Sequence, residues 1–137
     1  MNGNTRITVL TPCLVRVEET QNGVFCDEPT QAVWFRAFDE PRFETKNGNG
    51  YVEIKTTKAN FLYSFTEKKM VRIKLRDGRV VTDYYSGNLK GTCRTLDITA
   101  GVITLGDGVC SKNGVAILDD SDTLVLKDDG AILPRKY

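Results

Sequence analysis

The sequence contains no histidine. Imidazole is the general base of Ser-His-Asp and Cys-His catalysis and a common zinc ligand, so these enzyme classes are excluded together. Four cysteines are present, but none belongs to a Cys-x-x-Cys pair of the kind that a thiolate metal site needs. We expect no metal and no cofactor. A disulfide would need an oxidising compartment. The interpretation favoured by the pattern is four reduced thiols, mostly half-buried in strands: Cys13, Cys26, Cys93 and Cys110.

Long apolar runs and strong net charge are absent too. No stretch approaches the roughly 18 apolar residues of a membrane span. The N-terminal MNGNTRITVL lacks the charged-then-apolar pattern of a secretory signal. The formal net charge is +1, which gives no field to steer the chain onto nucleic acid or a membrane. These absences predict a cytoplasmic protein without nucleic-acid or membrane partners.

Short alternating apolar runs separated by Gly, Asn and Asp turns are present instead. With 137 residues the chain has the length of one domain, and no run of ten or more shows a helical apolar period. The pattern predicts an all-β fold, an antiparallel β-sandwich of about a dozen strands. The clearest predicted strands cover residues 5–10, 14–18, 32–38, 42–46, 51–56, 59–65, 70–75 and 79–83.

Two of these runs invite a functional interpretation. Residues 32–38, AVWFRAF, are expected to form a core strand, with Trp34 as a packing residue rather than a sugar-stacking platform. In residues 70–75, Arg72 and Lys74 alternate with apolar residues. Their basic face is expected to be a solvated sheet face rather than a nucleic-acid surface.

Residues 88–121 differ from the rest of the chain in their sequence pattern, because Gly-rich turns there separate apolar runs of only about four residues. No turn carries the phosphate-binding spacing of a P-loop or a dinucleotide fold. The acidic group Asp119, Asp120 and Asp122 lacks calcium-loop spacing, so a solvated strand end is favoured over a calcium site. Neighbouring Asp119 and Asp120 would point to opposite faces of a strand, so they cannot flank one glycosidic bond.

The segments RITVLTPCLVRVEE, GVFCDEPTQAVWFRAF, NLKGTCRTLD and GDGVCSKNGVAILDDSDTLVLKDDGAILPR resemble the N-terminal domain of glycoside hydrolase family 31. This is the retaining α-glucosidase and α-xylosidase family. Its members typically show "LVRVE", "F.D.PTQ.V..R.F", "NL.GT.RTLD" and "DG..S..GWA..DDS" in this order. The likeness covers nearly the whole chain, with the spacing preserved.

The resemblance implies a non-catalytic sandwich of the galactose-mutarotase-like supersandwich type, preceding a (β/α)₈ barrel that carries two catalytic aspartates. The family's Trp-x-Asp-x-Asn-Glu segment is absent, since Trp34 is followed by Phe35 and Arg36. Residues 1–137 are therefore expected to be one N-terminal domain, truncated at its C-terminal edge and inactive alone. The expected partners are the barrel of the parent enzyme and an α-linked oligosaccharide.

In the family this domain sends a loop to the rim of the active site, where an acidic residue often binds a sugar hydroxyl. That position falls on Asn113 here, and Val115 stands where the family usually has tryptophan. Asparagine still donates and accepts hydrogen bonds, but without the strength that a carboxylate's charge adds. Arg94 and Asp97 are the other rim candidates, and a salt bridge that holds the loop itself is an equally good interpretation of them.

Two further hypotheses follow from the sequence. A free-standing carbohydrate-binding module is the alternative to a domain of an enzyme. It is disfavoured because the aromatic residues lie within predicted strands rather than in an exposed row. The isolated sandwich is also expected to leave sheet edges exposed, through which it could form a homodimer.

Overall fold

The computed structural model describes residues 3–91 and 100–134, and all regular secondary structure in these residues is β. The predicted all-β, antiparallel class is confirmed. Nine strands lie in the described residues: β1 (Thr5–Thr11), β2 (Leu14–Glu19), β3 (Phe43–Gly48), β4 (Tyr51–Thr56), β5 (Ala59–Ser64), β6 (Lys69–Leu75), β7 (Val80–Val81), β8 (Val125–Leu126) and β9 (Ile132–Leu133). This part of the chain contains no helix of the length and apolarity needed to cross a bilayer.

Strands β3 to β7 form one five-stranded sheet in sequence order. A two-residue turn, Asn49-Gly50, joins β3 to β4, with Gly48 opposite Tyr51. Gly50 has a φ of 76°, a left-handed conformation that glycine adopts at little cost. β3 thus extends two residues past its predicted end at residue 46, whereas β4 has its predicted bounds.

One face of this sheet carries the apolar core. Phe61 of β5 lies between Ile54 of β4 and Ile73 of β6, and all three side chains are buried. On the opposite face, the Arg72 guanidinium lies 3.4 Å from the Glu53 carboxylate. The predicted alternation therefore holds from Arg72 to Leu75, whereas a register shift at Leu62/Tyr63 places Met70 rather than Val71 opposite the buried Tyr63.

The β1–β2 hairpin is tied to the buried face of the sheet at both of its ends. At the open end, the buried Tyr63 hydroxyl donates a hydrogen bond of 2.9 Å to the Glu19 carboxylate. At the turn, the Thr56 hydroxyl donates a bond of 2.6 Å to the carbonyl oxygen of Pro12. The hairpin and the sheet thus form two layers, as a sandwich-like fold requires.

Residues 32–38 do not form the predicted core strand. Thr30 and Val33 exchange two backbone hydrogen bonds of 3.2 and 3.1 Å, so the chain reverses there instead of extending along a neighbour. The aromatic side chains that follow are exposed, Trp34 by 61% and Phe35 by 84%. Apolar content predicted burial here, but a strand needs a partner for its backbone groups, and this segment pairs with none of the described strands.

The described chain divides into two compact units. The first comprises Met1–Val80 and Asp120–Tyr137, and the second comprises Val81–Asp119. The first unit includes the small β8–β9 hairpin, which pairs with the turn at Thr30 through an isolated bridge between Thr30 and Val125.

The Tyr63→Phe substitution should lower the free energy of unfolding by about 1.5 kcal/mol, because it removes a hydrogen bond to a carboxylate. Burial, followed by the bond to Glu19, raises the pKa of the Tyr63 phenol above its ordinary value. A raised folded pKa means that this stabilisation is present below about pH 10 and is lost as pH rises further. Urea unfolding between pH 8 and 11 measures both effects.

The exposed Tyr51 supplies a matched control, since Tyr51→Phe removes the same atom from the same sheet. Tyr51→Phe should leave the free energy of unfolding and its decline above pH 10 nearly unchanged, whereas Tyr63→Phe should make that decline shallower. Equal effects of the two substitutions would contradict the role assigned to the Tyr63 hydroxyl.

Candidate functional site

The most buried polar contact in the first unit joins Thr30 to Asp120. The Thr30 side chain is fully buried, and its hydroxyl lies 2.8 and 2.9 Å from the two carboxylate oxygens of Asp120. Asp120 also accepts a hydrogen bond from the Thr123 hydroxyl. The Thr30 and Asp120 side chains come from positions 90 residues apart in the sequence, so this contact closes the unit on itself.

Arg36 completes this cluster. Its Nη2 atom lies 3.6 Å from Asp120 Oδ2 and donates a hydrogen bond of 3.4 Å to the Thr30 hydroxyl oxygen. Its Nε atom donates a bond of 3.3 Å to the carbonyl oxygen of Val33. Burial, followed by the nearby charge of Arg16, lowers the pKa of Arg36 below its ordinary value. The Asp120 carboxylate opposes that lowering, which is why a buried guanidinium is tolerated there.

A second ionic group lies on the β1–β2 hairpin. Arg6 binds the Glu18 carboxylate through two bonds of 2.7 and 3.0 Å, and Arg16 contacts the same carboxylate at 2.8 Å. Arg6 also reaches Asp27 at 2.6 Å and lies 4.7 Å from the centroid of the Phe25 ring. The hairpin is thereby held against the segment that leads to Thr30.

The arrangement in the first unit is suited to holding chain segments together. Three arginines face three carboxylates at close range, so their charges compensate one another. The Thr30 hydroxyl donates to a carboxylate and is fully buried, which leaves it unable to act as an exposed nucleophile. Among the described residues, no group of three or more Cys, Asp or Glu side chains is placed to hold a metal ion.

Asn113, the predicted rim residue in the second unit, uses its side chain to hold a turn. Its Nδ2 donates bonds of 3.1 and 3.2 Å to the carbonyl oxygens of Asp83 and Ser86. Its Oδ1 accepts the backbone N–H of Val115 at 3.1 Å and the Ser111 hydroxyl. Asn113 therefore fastens residues 111–115 to the segment around Ser86.

Asn88 performs a similar task nearby. Its side chain exchanges two hydrogen bonds of 2.8 Å with the backbone N–H and C=O of Gly108. The Leu89 N–H and the Gly91 N–H donate to the carbonyl oxygens of Cys110 and Gly106, both at 2.9 Å. The two segments are thus held side by side with few regular strand pairs, and the second unit depends on asparagine side chains in place of a long ladder.

The other predicted positions have different outcomes. Arg94, Asp97 and Cys93 lie outside the described residues, so their predicted roles stay predictions. Asp120 was predicted to lie at a solvated strand end, and this is wrong: only 18% of its side chain is exposed, because Thr30 and Arg36 cover it. Cys13, Cys26 and Cys110 are free thiols outside the nine strands; only Cys26 is half-buried, Cys13 and Cys110 are exposed, and Cys110 forms an isolated bridge with Ala116.

Sequence reasoning missed the cluster of Thr30, Arg36 and Asp120. Each of these residues belongs to a segment that resembles family 31, but the site residues implied by that resemblance all lie in the rim loop. The signal in the sequence was that the quoted motifs, "F.D.PTQ.V..R.F" and "DG..S..GWA..DDS", specify a threonine, an arginine and an aspartate at these positions.

No family model and no curated protein matches this chain. The resemblance to glycoside hydrolase family 31 therefore stays a prediction.

We expect Thr30→Val to lower the free energy of unfolding by about 2 to 3 kcal/mol, because it leaves a buried carboxylate, a guanidinium and an amide without their shared hydroxyl. Thr30→Ser is the control: it keeps the hydroxyl and loses one buried methyl, at about 1 kcal/mol. Urea unfolding of the three proteins measures the difference. Thr30→Val as stable as Thr30→Ser would contradict the role given to the hydroxyl.

Asn113→Asp should destabilise the turn at residues 111–115, although the substitution introduces the acidic residue that the family often has there. The new carboxylate cannot donate to the carbonyl oxygens of Asp83 and Ser86, and it places negative charge against them. Amide hydrogen exchange at Val115 should accelerate at least tenfold. The substitution Lys112→Ala, at an exposed neighbour, should leave it unchanged. An unchanged exchange rate at Val115 in Asn113→Asp would contradict the role of the Asn113 side chain in holding this turn.

Proposed function

We propose that the chain is a non-catalytic β-sandwich domain of a retaining α-glycosidase of the family 31 type. In this role it supports a catalytic barrel and contributes a loop to the rim of the substrate site. The proposal is supported by one observation above all: side chains that carry the resemblance bind one another in the first unit.

The agreement between the motifs and these contacts is detailed. Within "LVRVE", Arg16 and Glu18 bind each other. Within "F.D.PTQ.V..R.F", Phe25 and Asp27 contact Arg6, while Thr30 and Arg36 contact Asp120 of "DDS". A β-sandwich that held its layers by another network would not need these residue types at these spacings. The motif residues thus stabilise the fold by binding one another, which is the role expected of residues in a supporting domain.

The second unit fits a rim loop in the same proposal. Asn88 and Asn113 fix two turns by side-chain bonds to the backbone, so the described residues next to them, such as the exposed Lys112, are held in place. Preorganised loops bind a ligand with less loss of conformational entropy than mobile ones. Because the amide of Asn113 is engaged in its own turn, we propose the exposed neighbour Lys112 as the side chain that reaches a sugar hydroxyl.

A carbohydrate-binding module is the second candidate, and the exposure of Trp34 and Phe35 favours it. Both side chains were predicted to lie inside a strand, but both are exposed in an irregular segment, where a sugar ring can reach them. Exposed aromatic rings stack on sugar rings in such modules, and indole is the largest of them.

Reading the transcript beyond the codon for Tyr137 tests the first candidate directly. We expect an open reading frame that continues into a (β/α)₈ barrel with a Trp-x-Asp-x-Asn-Glu segment. A stop codon, or a continuation into an unrelated fold, would contradict the proposal.

Fluorescence titration separates the second candidate, because Trp34 is the only tryptophan in the chain. The isolated chain is titrated with maltose, isomaltose and xylose-containing oligosaccharides, with calorimetry in parallel. The supporting-domain proposal predicts no change in Trp34 emission and no binding heat up to millimolar sugar. Binding that disappears in Trp34→Ala but persists in Tyr85→Ala, another exposed aromatic, would establish the module instead.

A further inference from the structure

Strand β3 forms one edge of the five-stranded sheet and is exposed along its whole length of 6 residues. It pairs with β4 on one side only. In an antiparallel ladder alternate residues direct their N–H and C=O groups to opposite sides, so half of the backbone groups of β3 point away from β4. No other described strand pairs with that side. An exposed edge of this length is a template for another strand.

The charges on β3 are self-complementary. Glu44 and Lys46 lie two residues apart, and therefore share one face of the strand. The Glu44 side chain is 81% exposed and lies 3.7 Å from the ammonium group of Lys55 on β4, so the opposite side of Glu44 remains open to a second strand. If two copies pair antiparallel about a two-fold axis at Thr45, Glu44 of each copy lies opposite Lys46 of the other. One interface thus contains two opposite-charge cross-strand pairs.

The same charges oppose the competing registers. A two-fold axis at Glu44 places two glutamates opposite each other, and an axis at Lys46 does the same with two lysines. Parallel in-register pairing stacks like charges at both positions. Like charges directly opposite on neighbouring strands are destabilising. A slip by one residue places the charged face of one strand beside the uncharged face of the other.

We propose that two copies of this chain associate through antiparallel pairing of their β3 strands, centred on Thr45, to form one continuous ten-stranded sheet. The occupant of the β3 edge is thus a second copy of the chain, selected by the Glu44 and Lys46 pairs. This interface is small beside that of a typical stable dimer, which buries about 1,200–2,000 Å². The dimer is therefore weak and depends on concentration. This inference is independent of the proposed enzymatic context.

Sedimentation equilibrium of the full chain at low ionic strength, from ~10 µM to ~1 mM, tests the proposal. The wild-type chain should show a monomer–dimer equilibrium. Glu44→Lys and Lys46→Glu should each weaken it at least tenfold, because each turns both cross-strand pairs into like-charge pairs. The double variant, Glu44→Lys with Lys46→Glu, restores both pairs in reverse and should dimerise within about threefold of the wild type.

Lys74→Glu is the matched control. Lys74 is exposed on β6 and lies on the same face of the sheet as Glu44, so it undergoes the same charge change as Lys46 away from the edge. It should dimerise like the wild type. A wild-type chain that stays monomeric throughout would overturn the proposal. So would single variants that dimerise normally, a double variant that fails to recover, or a control weakened as much as Lys46→Glu. Circular dichroism of each variant verifies that the sheet is intact.

Discussion

The contact on which the first unit depends most is the hydrogen bond between the Thr30 hydroxyl and the Asp120 carboxylate. A buried carboxylate is unfavourable unless hydrogen bonds and an opposite charge compensate its lost hydration. Thr30, Thr123 and Arg36 supply both. Around this contact, the Gln31 N–H donates to the Leu124 carbonyl at 2.8 Å and the Leu126 N–H to the Pro29 carbonyl at 2.9 Å. The Thr30–Asp120 contact and these two backbone bonds therefore hold the small β8–β9 hairpin in position, since two strands of two residues each are too short to be stable alone.

In the second unit, neutral side chains rather than charged ones hold the chain segments together. Its segments are too short and too rich in glycine to form long ladders, so backbone groups would be left unpaired without side-chain partners. Asn88 and Asn113 each provide both a donor and an acceptor to the backbone. An amide can do both at once, through separate donor and acceptor atoms, without burying a charge. This explains why asparagine suits positions 88 and 113 in this unit.

The sequence was a good guide where periodicity decided the structure. Alternation in β4 and in residues 72–75 of β6, and the Asn-Gly turn before β4, were predictable because side-chain period and turn chemistry are local properties. Residues 32–38 do not form the predicted strand because their conformation depends on a distant residue. Thr30 and Arg36 bind Asp120, and the chain reverses between them so that both side chains reach it. The burial of Asp120 escaped prediction for the same reason. Neither periodicity nor composition reveals a contact across 90 residues.

The central claim is that the motif side chains are coupled and hold the fold together. A double-mutant cycle on Thr30→Val and Asp120→Asn, followed by urea unfolding, measures that coupling directly. Residues in one hydrogen-bond network typically show interaction energies of about 0.5–3 kcal/mol, and we predict a value above about 1 kcal/mol here. Effects of the two substitutions that add to within about 0.3 kcal/mol would mean that the side chains act independently, which contradicts the claim.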